Sequence, residues 1–222
     1  MQLSEKTIEV LKNFANINPN LVVSAGSNLK TISEAKNIMA SADVAETFDN
    51  GFGIYDLNEF LSALNLIDSP TLEFTDNAVK IKNDSSSVEY RFANVEILTQ
   101  PAKSVTMPDV DVSLKISADD ISQIKRAAGA LGHPVLSLSV VDNSVVAKVC
   151  DPNNPTANTW SKTIPTDRID DWAGFDYQFL ISNLKLIPGD YEVSISNKLI
   201  SSWKNPVVEY WIALEKTSTI QE

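Results

Sequence analysis

Residues 3–18, LSEKTIEVLKNFANIN, decide how this chain reads, because a stretch of the same design, ISADDISQIKRAAGAL, stands at residues 116–131. In the first, Ile8, Leu11 and Ala15 follow at i, i+3 and i+7; in the second, Ile121, Ile124 and Ala128 do the same, 113 positions later. That spacing lays the apolar side chains along one stripe of a helix. Ser4 and Ser117 stand where N-caps would, each hydroxyl able to accept from an orphan N–H, and acid follows in the first turn, where it offsets the helix dipole. A helix therefore opens each half, and the chain reads as a duplication.

A second pair of segments repeats at an offset of 120: YDLNEFLSALNLI at 55–67 and FDYQFLISNLKLI at 175–187. With Asp56 and Asp176 as N-caps, Leu57, Leu61 and Leu64 match Tyr177, Ile181 and Leu184 on a buried stripe, which predicts a second helix in each half. Between the helices, 71–74, 79–82, 88–92, 135–140, 145–149 and 191–196 alternate with period two and read as strands. Asn77, Asp142-Asn143 and Pro188-Gly189-Asp190 supply turn chemistry between them. Val88-Glu89-Tyr90 is answered by Val208-Glu209-Tyr210, again at 120. The segment 99–108 carries two prolines that cannot donate to a ladder, so it suits an extended connector. The expected organisation is a first domain at 1–98, a connector at 99–111 and a second domain at 112–222, each an α+β layer of antiparallel sheet with two helices on one face.

Composition narrows the function. With 43% hydrophobic residues over 222 positions the chain can build a core, and no run nears the roughly 18 apolar residues of a membrane span, so a cytoplasmic protein without membrane partners is expected. One cysteine excludes an internal disulfide, and one histidine leaves no Cys/His cluster for zinc. There is no Gly-rich phosphate loop and no nucleophile elbow. His133, before Pro134, reads as a turn residue, and Cys150 as a strand-end residue. Asp119-Asp120 falls in a first helical turn and Asp170-Asp171 in a polar connection, so neither pair is read as a carboxylate centre. The expectation is a protein without catalytic residues, metal or cofactor.

A net charge of −11 argues against a nucleic-acid partner unless the bases are placed to one side. Lys12 and Lys125 are equivalent positions of the two first helices, and Lys6, Arg126 and Lys185 are expected on exposed helical faces. Spacing alone fits two readings equally: a surface turned to DNA, or bases that only solubilise a helix.

The segments LSEKTIEVLKNFANIN (3–18), IYDLNEFLSALNL (54–66) and YQFLISNLKLIPGDYEVSIS (177–196) resemble the sliding clamps of T-even phages, in order and spacing along the whole chain. The resemblance implies a non-enzymatic polymerase processivity factor: a homotrimer of two similar domains per chain, closed as a six-domain ring with sheets outside and twelve helices lining a hole around duplex DNA. A ring holds DNA topologically and without sequence readout, so a modest basic lining can coexist with an acidic exterior. On this reading Lys6, Lys12, Lys125, Arg126 and Lys185 face the lumen, while the 56–66 helix offers Glu59 and no base. The strand near 88–98, with Tyr90, meets a neighbour's edge near 158–166, placing Trp160 at a subunit seam; an ordinary core tryptophan is the other reading of Trp160. The implied partners are double-stranded DNA, the DNA polymerase, a clamp-loader ATPase and the chain itself. Val105 and Met107 are candidates for an apolar cleft that takes partner peptides, or simply anchor the connector. Two alternatives remain at this point: an acidic protein-binding scaffold of duplicated α+β design, and an acidic hydrolase using the aspartate pairs.

Overall fold

The computed structural model describes residues 1–102, 104–166 and 174–220. It divides the chain into two compact units, Met1–Ser104 with Val207–Glu209, and Val105–Pro206 with Tyr210–Glu222.

The first unit begins with helix α1, Glu5–Ile17, capped by the Ser4 hydroxyl, which accepts from the Thr7 N–H. Val10, Leu11, Phe14 and Ile17 turn inward. Asn18 ends the helix in an extended conformation, donates through its side chain to the Ile32 carbonyl at 2.7 Å and accepts from the Asn20 N–H at 3.0 Å. Strands β1 (Leu21–Val23), β2 (Gly26–Ile32), β3 (Ile38–Phe48) and β4 (Phe52–Ile54) follow, with β1 antiparallel to β4 and β2 to β3. Gly53 in β4 has no room for a side chain, since a Cβ there would lie 2.7 Å from both the Ala93 carbonyl and the Leu98 side chain. Helix α2, Leu57–Asn65, comes next, and its N-cap Asp56 accepts from the Asn58 and Glu59 N–H groups. It buries Leu57, Phe60, Leu61, Ala63 and Leu64 and packs beside α1. Strands β5 (Thr71–Phe74), β6 (Ala78–Lys82) and β7 (Ser87–Arg91) form a separate three-stranded sheet with β7 at one edge.

In the second unit β8 (Val112–Ile116) leads into α3, Ala118–Leu131, whose Ser117 and Asp120 form a reciprocal capping box. Gly132 closes that helix in the left-handed conformation, φ 68°. Strands β9 (Val135–Val141), β10 (Ser144–Cys150), β11 (Trp160–Ile164), β12 (Phe175–Leu180), β13 (Tyr191–Ser196), β14 (Ile200–Lys204), β15 (Val208–Ala213) and β16 (Thr219–Ile220) complete the chain. One antiparallel sheet runs β11-β10-β9-β12-β16; in another β13 pairs with both β8 and β14. Asp142 and Asn143 turn the β9–β10 hairpin with φ 48° and 56°, the left-handed pair that suits a two-residue turn between twisted strands.

One expected helix is absent. Residues 175–180 form strand β12, with Phe175, Tyr177 and Phe179 inward, followed only by a single 3-10 turn at Ile181–Asn183. Phe175, Tyr177 and Phe179 alternate with period two, and this overrides the helical reading of Tyr177, Ile181 and Leu184. Asp176 caps nothing: it sits in the ladder and accepts from the Ser137 hydroxyl at 2.6 Å. The described residues thus hold three α-helices, two in the first unit and one in the second. The strand readings at 71–74, 79–82, 88–92, 135–140, 145–149 and 191–196 match β5, β6, β7, β9, β10 and β13 to within a residue or so at their ends.

Candidate nucleic-acid interface

A helix shows the solvent whatever its buried stripe leaves over, so burial sorts the charges. On α1 the exposed residues include Glu5, Lys6, Glu9, Lys12 and Asn16. On α2 they are Asn58, Glu59, Ser62 and Asn65, with Tyr55 and Leu66 strongly exposed at its two ends. On α3 they include Asp119, Ser122, Lys125, Arg126, Gly129 and Ala130. Partial desolvation beside the helix pulls the Lys125 ammonium below the ordinary lysine value.

Lys185 departs from its expected place. It lies after the 3-10 turn, outside any helix and half-buried, its N–H donating to the Asn183 carbonyl at 2.8 Å. The segment around it is held by tyrosines: the Tyr210 hydroxyl accepts from the Ile187 N–H at 3.1 Å, and the Tyr191 hydroxyl donates to the Ile187 carbonyl at 2.7 Å.

Each leading helix is tied by its N-terminus to a strand of its own sheet layer, in opposite chemical senses. In the first unit Glu46 of β3 accepts from the Ser4 N–H and the Thr7 hydroxyl. Burial by itself raises the Glu46 pKa, but these hydrogen bonds outweigh it and hold the carboxyl below its ordinary value. In the second unit the base belongs to the strand: Lys162 of β11 meets Asp120 at 2.7 Å and Asp119 at 3.6 Å. For Asp120 too, burial raises the pKa, and Lys162 with the Ser117 groups lowers it further than burial lifts it. Asp119 additionally accepts from Gln123. The Asp119-Asp120 pair is therefore a cap and an ion pair. Asp170-Asp171 lies outside the described residues, and among the described residues no cluster of metal-ligating side chains occurs. Neither Glu46 nor Lys162 stood out in the sequence, since each belongs to an alternating strand whose partner is 39 or more residues away.

The two strands expected at a subunit seam are each the last of their sheet: β7 in β5-β6-β7, and β11 beside β10. Their side chains are thinly covered, Tyr90 alone being buried on β7 and Ile164 alone on β11. The ring of Tyr90 turns inward against Phe60, 5.2 Å between centroids and edge-on, and its hydroxyl donates to the Asp56 carbonyl at 3.1 Å. What β7 offers outward is its backbone with Glu89 and Arg91. Beyond it, Val95 and Ile97 in a 3-10 turn are 38% and 69% exposed. Trp160, at the start of β11, is half-buried; among the described residues of this unit Trp203 is the tryptophan fully buried, against Phe179.

Val105 and Met107 lie half-buried in a stretch without regular structure. His133 sits in the turn before β9, its Nε2 2.6 Å from the Asn158 carbonyl, and Cys150 ends β10 half-buried.

The comparisons with known proteins converge. A family model described as DNA polymerase processivity factor matches residues 3–98. The sliding clamp of Vibrio phage KVP40 is 32% identical over 97% of this chain and 99% of its own length, and that of Escherichia phage RB69 is 31% identical over 99% of both. The sliding clamp of Enterobacteria phage T4 is 26% identical over the same span. Among solved structures, A. fulgidus PCNA bound to the C-terminal region of FEN-1 aligns with a TM-score of 0.73 at 10% identity, covering 98% of both chains. PCNA from Entamoeba histolytica aligns at 0.69 and 14%, covering 96% of this chain and 97% of its own.

Proposed function

Because the chain belongs to the sliding clamps, the DNA polymerase processivity factors of T-even-type phages, we propose that three copies close into a ring around duplex DNA and tether the replicative polymerase to it. The observation that carries the closure is the pair of thinly covered terminal strands, one in each unit, β7 in the first and β11 in the second. An edge that shows unpaired N–H and C=O groups is a template for another strand, and joining β7 of one copy to β11 of the next satisfies both. Trp160 contributes at that seam, where an aromatic side chain adds area at little entropic cost, while Tyr90 supports β7 from inside.

The helices turn toward the DNA. Lys6, Lys12, Lys125 and Arg126 are the exposed bases of the helical faces turned to the lumen, with Lys185 contributing from its loop; the three helices among the described residues of each chain would give a lining of nine. Retention comes from threading, so an acidic chain of net charge −11 needs no tight phosphate binding, and weak contacts leave the ring able to slide. Val105 and Met107 border the stretch where partner peptides dock, and a loader ATPase opens the ring. The clamp works without chemistry of its own, in the cytoplasm of the infected host.

The test is mass and topology together. Sedimentation is expected to give a trimer, and Trp160→Ala to shift it toward the single chain. Loaded clamp is expected to stay on closed circular DNA and to run off the same DNA once linearised. A single-chain particle that is held equally on both forms would overturn the reading.

A further inference from the structure

We propose that the grip on the duplex is carried by α3, through Lys125 and Arg126, and that the α1–α2 face is a near-neutral wall without net attraction for phosphate. This rests on the reading of the chain as a ring around DNA and refines which helices touch it.

Charge is the first ground. The exposed helical acids of the first unit, Glu5, Glu9 and Glu59, outnumber its exposed helical bases, Lys6 and Lys12. Both lysines lie three positions from Glu9, so each shares a surface neighbourhood with the same carboxylate. On α3 the positions one turn from Lys125 and Arg126 are Ile121, Ser122 and Gln123 on one side and Ala128, Gly129 and Ala130 on the other, without a single acid. The acids α3 does carry, Asp119 and Asp120, are at its first turn, where Lys162 pairs closely with Asp120 and more loosely with Asp119.

Shape is the second. The buried residues Asp120, Ile121, Ile124 and Ala128 define the inner side of α3, which leaves Arg126 near the middle of the outer side with Ser122, Gly129 and Ala130 around it. Glycine inside a helix weakens it relative to alanine, and nothing in the chain asks for one at 129: its φ is ordinary and a Cβ there would meet nothing within 4 Å. A bare backbone beside an exposed guanidinium lets a sugar-phosphate strand approach closely, whereas longer side chains would hold it off.

The experiment titrates the trimer against a duplex of about 30 base pairs, open-ended so that it can thread, by fluorescence anisotropy at salt from about 50 to 200 mM. Lys125→Ala/Arg126→Ala is expected to weaken binding at the lowest salt about tenfold or more and to flatten the log–log salt slope by about five, six lost phosphate contacts per trimer at about 0.9 each. Lys6→Ala/Lys12→Ala is expected to weaken binding by no more than about threefold and to flatten the slope less, because Glu5, Glu9 and Glu59 together offset both lysines. Gly129→Gln, which fills the gap without adding charge, is expected to keep the trimer and to hold or raise its thermal midpoint while weakening its grip on the duplex. Equal losses in the two double variants would overturn the assignment to α3, and unchanged binding by Gly129→Gln would overturn the close approach. Retention of the unaltered clamp on closed circular against linear DNA, run in parallel, reports separately on encirclement.

Discussion

The segments that follow β4 and β12 hold the same place in their units and take different forms. After β4, which pairs with β1, Asp56 caps a helix of nine residues that buries five side chains. After β12, which pairs with β9, the chain makes one 3-10 turn without a side-chain cap and runs without regular structure to Pro188. Local chemistry accounts for the difference. LNEFLSALN is rich in good helix formers behind an Asp cap, whereas Ile181-Ser182-Asn183 are poorer ones, and Pro188 disfavours helix at Ile187 before it. The tyrosine of the repeated Val-Glu-Tyr triplet serves both arrangements. In the first unit Tyr90 holds the carbonyl of the α2 cap; in the second Tyr210 accepts from the Ile187 N–H, a group that a longer helix would have used internally. A duplicated pattern thus preserves the anchor while the element it anchors is replaced.

The contrast breaks most sharply at Phe179 and Ile181. On strand β12 Phe179 is fully buried with Trp203 edge-on at 5.7 Å, while Ile181 is half-exposed. Phe179→Ala is expected to cost about 3–5 kcal/mol of unfolding free energy in urea, and Ile181→Ala under about 2 kcal/mol, since a cavity deep in the core relaxes less than one near water. On a helical stripe through Tyr177, Ile181 and Leu184 the order would reverse, and that result would restore the helix at 175–187.

The same pair of residues shows how far the sequence could be read. The leading helices were legible because Ser4 and Ser117 announce them and the i, i+3, i+7 stripe admits no strand. The strands with strict alternation were legible too. The segment 175–187 satisfied both periods, since Phe175, Tyr177 and Phe179 alternate while Tyr177, Ile181 and Leu184 step by fours and threes; the partner that settles it, β9, lies about 40 positions away. The short β1 and β4 give too few alternations to be seen locally, β2 and β3 interrupt theirs, Ile38, Met39 and Ala40 of β3 being buried in succession, and β8, which does alternate, follows directly on the connector. Among the candidate site residues, the exposed helical positions of Lys6, Lys12, Lys125 and Arg126 follow from periodicity. The ties made by Glu46 and Lys162 do not, for a strand residue gives no sign of which helix terminus will lie over it.

Those two ties sharpen the comparison between units under acid. Glu46 and Asp120 both hold their protons less tightly folded than unfolded, so added protons favour the unfolded chain. Their contribution is complete above the ordinary carboxylate range near about pH 4 and drains away as the pH falls through the lower folded values. At neutral pH Glu46→Gln is expected to cost about 1–2 kcal/mol, because the Ser4 and Thr7 donors lose a charged acceptor. Asp120→Asn is expected to cost less, as Lys162 remains solvent-accessible and its attraction is screened. Thermal midpoints followed from pH 7 downward should show a shallower acid limb in the double variant; an unaltered limb would mean that neither carboxyl governs it.

The finest contrast lies within one helix, between glycines three positions apart. Gly132 has φ 68° at the end of α3, where its N–H donates to the Ala128 carbonyl at 2.8 Å, and a side chain there strains the backbone whatever the space around it. Gly132→Ala is therefore expected to lower stability by about 1 kcal/mol. Gly129 sits in the helix interior with open space at its Cβ, so Gly129→Ala is expected to raise stability by up to about 1 kcal/mol through reduced freedom of the unfolded chain. Urea midpoints moving in opposite directions would show that the backbone of α3 needs glycine at its end and not in its middle, leaving the one at 129 to be explained by what lies outside the chain. Midpoints that both fall would mean that position 129 is constrained from within, and the bare patch beside Arg126 would then be a matter of folding.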